Sequence, residues 1–132
     1  MAGIRSYRDL LVWQRGCDLV KLAYELTKTF PREELYGLVQ QLRRAAVSVP
    51  SNVAEGYGRG TRKDYIHFLQ TARGSLYEVE TQVILAQKLG YATDSQARPL
   101  SQLIEESSRL LHGLILSLQR NAQDKGNTER SR

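Results

Sequence analysis

Cysteine is nearly absent from this sequence. Cys17 is the one thiol in 132 residues, so no internal disulfide can form. The chain is long enough to bury a core without such staples. The N-terminus has no secretory apolar region, and with the lone cysteine this points to a reducing, cytoplasmic setting. No apolar run approaches the ~18 residues of a membrane helix. Histidine is scarce too, with only His67 and His112. A serine, cysteine or threonine nucleophile needs a base beside it, and neither histidine sits in a nucleophile motif. A di-iron bundle would need Glu-x-x-His twice, and the chain offers only Asp64-x-x-His67. The expectation is a protein that is not an enzyme and holds no metal or cofactor. Both histidines read as partly buried helix residues, and Cys17 as a small hydrophobe. Concentrated charge is also missing. The formal net charge of +5 hints at a polyanionic partner, yet it is spread along the chain with no basic block.

What is present is helical periodicity, with no alternating strand pattern to compete. Four helices are expected, over about residues 8–29, 35–56, 61–89 and 95–120. In the first, Trp13, Gly16, Cys17, Val20 and Tyr24 fall on one side, with Val12, Leu19, Ala23, Leu26 and Phe30 beside them. That apolar arc spans roughly 220°, against the ~100° that one core face needs. The helix is therefore expected to bury one face in its own domain and another against a second chain, with Trp13, Cys17 and Tyr24 at the oligomer interface. Phe30-Pro31 ends it. The second helix carries a stripe of Leu35, Leu38, Val39, Leu42, Ala45, Ala46, Val49 and Val53, interrupted by Pro50, which is expected to bend it. Gly56, Gly58 and Gly60 end it, with a positive φ expected at Gly58 or Gly60. Thr61 with Asp64 forms a capping pattern at the third helix. Gly74-Ser75 in mid-helix suggests a close helix–helix approach. The tail 121–132, poor in apolar residues, is expected to be disordered. Short connections then give one all-α domain, residues 1–120, an antiparallel up-down-up-down four-helix bundle.

The stretches "LLVWQRGCDLVKLAYELTKTFPREELYGL", "QLRRAAVSVPSNVAEGYGRGTRKDYIHFLQTARGSLYEVETQ" and "LAQKLGY" resemble the bacterial 23S rRNA intervening-sequence proteins. The resemblance covers about residues 5–120. It implies a left-handed four-helix bundle that assembles as a ring-like homopentamer. It also implies kinship with the accessory protein of diversity-generating retroelements, which partners a reverse transcriptase and nucleic acid. The family name records where some of its genes lie and implies no particular activity.

Two surfaces invite a functional reading. "GYGRGTRK" lacks the spacing and preceding strand of a dinucleotide loop. It does set Arg59, Arg62 and Lys63 around a helix N-terminus, whose N–H groups favour an anion. With Arg5, Arg8 and Arg73 these are the expected contacts to an RNA or DNA backbone; the alternative is an interhelix corner with solvated charges. On the second helix, Arg44, Ser48, Ser51, Asn52 and Glu55 form a polar stripe. Together with Arg43, Glu78 and Glu80 this reads as a structural polar network, in which the acids pair with Arg43, Arg44 and Arg73. Function is expected to be non-enzymatic nucleic-acid binding by an oligomer; the alternative is a pentameric adaptor for a nucleic-acid enzyme such as a reverse transcriptase.

Overall fold

The structure is a computed structural model that describes the backbone of residues 3–130 and the side chains of residues 3–121. Among the described residues there are four α-helices and no strand. They are α1 (Leu11–Thr27), α2 (Leu38–Tyr57), α3 (Arg62–Lys88) and α4 (Asp94–Arg130), with short 3-10 turns at Tyr7–Asp9 and Arg32–Glu34. In each helix apolar residues recur three or four positions apart. Leu19, Leu42, Leu69, Leu76, Leu100 and Leu111 are fully buried together, so one core lies between all four helices. Each helix packs on its two neighbours in the cycle α1–α2–α3–α4–α1, while the diagonal pairs α1/α3 and α2/α4 do not meet. The most extensive packing is between α2 and α3, joined by only residues 58–61.

The helix ends differ from expectation for local reasons. The first expected helix splits, because Leu10 is extended at φ −74° and ψ 124°. Before it, Ser6 and Asp9 close a reciprocal capping box on a single 3-10 turn. The second starts at Leu38 rather than at residue 35, and Leu35 is 47% exposed, outside the core stripe. The third is capped as expected, the Thr61 hydroxyl accepting from the Asp64 N–H at 3.2 Å. The fourth opens on a box not foreseen: Thr93 Oγ1 accepts from the Gln96 N–H at 3.1 Å, and Gln96 Oε1 from the Thr93 N–H at 2.9 Å. Its backbone continues through the expected disordered tail as far as Arg130. An established helix adds residues at little cost, since nucleation is already over. Side chains beyond Asn121, and Ser131 and Arg132 altogether, lie outside the described residues.

Positive φ falls at Gly60 (85°) and Gly90 (78°). Gly90 ends α3 in a Schellman turn, with the Tyr91 N–H donating to the Ala86 carbonyl at 2.8 Å. α2 runs unbroken through Pro50, which is buried against Gly16 of α1. A Cβ on Gly16 would stand 3.1 Å from the Pro50 Cβ, so the small residue lets α1 approach the proline ring. The close approach expected at Gly74 does not occur there, since nothing lies within 4 Å of where its Cβ would be. Its neighbour Ser75, about 100° round the helix, faces α2 instead.

Candidate nucleic-acid and oligomer interfaces

The cations expected to hold a nucleic-acid backbone fall into three situations. Arg59 folds back onto α2. Its Nη2 meets Glu55 Oε1 at 2.8 Å and its guanidinium lies 4.9 Å over the Phe68 ring. Of the three cations expected at the α3 start, this one is ion-paired. Arg62 is half-buried, Lys63 is exposed, and neither has an ion-pair partner among the described residues. Arg5 and Arg8 are exposed on the turn before α1, Arg8 lying 5.7 Å over the Tyr7 ring. Tyr7 shares a groove with Ser51 and Ala54 of α2, so Arg5 and Arg8 sit towards the end of the bundle where α2 finishes and α3 begins. Arg73 stands apart: ten residues along α3 from Lys63 is about 15 Å.

The polar network forms with different partners from those expected. Arg43 Nε donates to the Thr27 hydroxyl at 2.9 Å, and its guanidinium lies 4.3 Å over the Tyr24 ring. It ties α2 to α1, not to an acid. Among the described residues Arg43, Arg44 and Arg73 make no ion pair with Glu55, Glu78 or Glu80, and Arg44, Glu78 and Glu80 are exposed. Exposure removes the need for pairing that burial would impose. Between α2 and α3 the network is neutral. Asn52 Nδ2 donates to the Ser48 carbonyl and hydroxyl, both at 2.8 Å, and Ser48 Oγ meets Ser75 Oγ at 2.8 Å. Sequence reasoning missed Thr27 and Ser75 as members. Their signal was a small polar residue on the buried side of an otherwise apolar helix.

The two sides of the α1 arc separate cleanly. Val12, Leu19, Ala23 and Leu26 are in the core, while Trp13, Cys17 and Val20 are half-buried and Tyr24 is 41% exposed. The second set lines two adjoining grooves along the α1–α2 seam. One, of about 390 Å³, runs past Tyr7, Trp13, Cys17, Val20, Pro50 and Ala54. The other, of about 570 Å³, runs past Tyr24, Leu35, Tyr36, Val39 and Arg43. Val47 lines both and is 41% exposed, and Tyr36 is 87% exposed. The Tyr7 and Trp13 rings meet edge-on at 5.2 Å. Burial, then the charge of Asp18, pushes the Cys17 thiol up from its ordinary value, which disfavours the thiolate.

His67 and His112 are exposed rather than partly buried. Among the described residues no three His, Cys, Asp or Glu side chains come together as metal ligands. Among them, too, no helix is long and apolar enough to cross a membrane.

No curated protein matches the sequence. A crystal structure of a protein of unknown function, from the S23 ribosomal protein family of Bacteroides thetaiotaomicron, is similar in fold, with a TM-score of 0.74 at 23% identity. The likeness covers 80% of this chain and 98% of that one. The profile of the 23S rRNA-intervening sequence proteins matches residues 8–113, a span that holds all of α1, α2 and α3 and the first part of α4. With most of its length matched, the chain belongs to the 23S rRNA-intervening sequence protein family.

Proposed function

We propose that this chain is a non-enzymatic, self-assembling protein that holds the backbone of RNA or DNA. The α1–α2 face joins copies into a closed homo-oligomer, and the cationic end of each bundle meets phosphate. What supports the reading is the placement of Arg5, Arg8, Arg62 and Lys63 towards one end of the helices, beside an apolar face left open along the α1–α2 seam. On α3, Tyr77 (52% exposed) and Ile84 (47% exposed), two turns apart on one side, give a further apolar patch on the helix diagonal to α1. Two different patches on one subunit suit a head-to-tail ring, and the family resemblance makes it five-fold. The short connections agree with an antiparallel, up-down-up-down course, and the resemblance implies that it is left-handed. Repetition round a ring would add weak phosphate contacts by avidity.

The adaptor reading, a scaffold for a nucleic-acid enzyme such as a reverse transcriptase, is favoured by one observation. Glu55 neutralises Arg59, the cation nearest the glycine turn. The two readings part on a salt titration. Binding of single-stranded RNA by the parent should fall steeply with salt, and changing Arg8, Arg62 and Lys63 to alanine should weaken it and flatten the slope. If parent and variant give the same curve, or bare RNA is not bound, the adaptor reading moves ahead.

A further inference from the structure

The α1–α2 groove and the outer face of α3 carry the same pattern with opposite charge. In the groove of about 570 Å³, Val39 and Val47 of α2 stand about 12 Å apart along the helix, with Tyr24 and Tyr36 beside them. Arg43 and Arg44 lie between the two valines. Arg43 is committed within the chain to Thr27 and Tyr24, which leaves Arg44 exposed as the free cation. On α3, Tyr77, Glu80 and Ile84 share an arc of about 60°. Tyr77 and Ile84 are about 10.5 Å apart along the axis, with the exposed Glu80 between them. Neither Arg44 nor Glu80 makes an ion pair among the described residues. Each surface therefore runs apolar, charged, apolar over nearly the same length, cationic at the centre of one and anionic at the centre of the other.

The two surfaces cannot meet within one chain. Ser75 of α3 bonds Ser48 of α2, and Tyr77 stands about 200° round the helix from Ser75, turned away from α2. α1 and α3 do not touch. We propose that the Tyr77–Glu80–Ile84 face of one copy seats in the α1–α2 groove of the next. Tyr77 and Ile84 meet the apolar ends of the groove, and Glu80 meets Arg44. Pairing like with like is disfavoured. Two grooves face to face would gather the Arg43 and Arg44 of both copies into one apolar contact, and two α3 faces would oppose Glu80 to Glu80. Arg73 and Lys88 lie one turn outside the Tyr77–Ile84 span, at the rim, where charge stays solvated and costs little. A groove on one side and its complement on another make the contact head-to-tail, so each copy binds two neighbours. The inference rests on the reading of the chain as self-assembling and specifies which surfaces join.

The test mixes two variants of the full chain. Val47→Glu spoils the groove and leaves the α3 face intact; Ile84→Glu does the reverse. Both positions are exposed, so both variants should keep the parent's helix content by circular dichroism. Each alone should show single-chain mass by light scattering. Mixed in equal amounts at submillimolar concentration, they should form a two-chain species and nothing larger, because one intact groove and one intact face remain for each pair. A mixture that stays at single-chain mass overturns the proposal. So does an Ile84→Glu variant that keeps the parent mass. Charge reversal tests the central pair. Arg44→Glu and Glu80→Arg should each raise the concentration at which the parent oligomer dissociates by at least about tenfold, and the double variant should recover most of the loss. A double variant as weak as the singles overturns the Arg44–Glu80 contact. A parent of single-chain mass at the same concentrations would fail the assembly reading itself, whereas a multimeric parent indifferent to Ile84→Glu fails only this choice of surfaces.

Discussion

Three glycines that look alike in the sequence do different things in the packed chain. Gly56 sits where a Cβ would come within 2.7 Å of the Phe68 Cβ and 3.2 Å of the Tyr65 carbonyl. Gly56→Ala should cost about 1–3 kcal/mol, as over-packed sites do. Gly74 is helical with open space around it, so Gly74→Ala should gain about 0.5–1 kcal/mol. Urea denaturation of the two variants should move the midpoint in opposite directions. Gly60 needs its positive φ, which explains why the chain turns there and Thr61 can cap. Thr61→Ala should cost about 1 kcal/mol in the same assay. An unchanged midpoint would mean that water serves the Asp64 N–H equally well.

Among the elements, α2 and α3 were the most legible in the sequence. Their stripes of Val39, Leu42, Val49 and Val53, and of Leu69, Leu76, Val79 and Val83, are buried as the three-and-four spacing requires. Periodicity reports which side of a helix is apolar, and the core takes that side. It does not report which polar side chain meets which. That is why the pattern pairs Arg43 with acids, whereas in the fold it bonds Thr27 and covers Tyr24. The choice depends on how α1 and α2 are rotated against each other, which one helix's pattern does not contain. The same limit split Arg59 from Arg62 and Lys63. It left Trp13, Cys17 and Tyr24 legible only as a surplus of apolar arc. Arg43 predicts a measurable coupling: Arg43→Ala should cost about 1–2 kcal/mol through its charged hydrogen bond and ring contact. Arg43→Lys should recover only part, because an ammonium cannot serve both partners in that geometry. Thermal denaturation with helix content followed by circular dichroism distinguishes the three proteins.

For the molecule as a whole, the open α1–α2 face makes assembly the first property to measure. Light scattering at micromolar concentration should return about five times the 15.0 kDa chain mass if the ring is five-fold. Val47 lines both grooves, so Val47→Glu should release subunits of single-chain mass that keep the parent's helix content. A variant that retains the parent mass would move the interface elsewhere, with the exposed Tyr77–Ile84 side of α3 the next surface to test.

The extensive packing of α2 on α3 across a four-residue turn has a consequence in time. Contacts between segments close in sequence require little loop closure, so they form early. The α2–α3 hairpin, keyed by Ser48, Asn52 and Ser75, should be largely built in the folding transition state, with α1 and α4 docking afterwards. Leu76→Ala should then mainly slow refolding, whereas Ile115→Val should mainly quicken unfolding. Stopped-flow chevrons would show this order, and equal effects on both limbs would deny it. A chain that folds this way displays its α2–α3 unit while α1, which carries Trp13, Cys17 and Tyr24 of the apolar seam, is still arriving. Newly made subunits would then complete their own bundle before they can recognise one another.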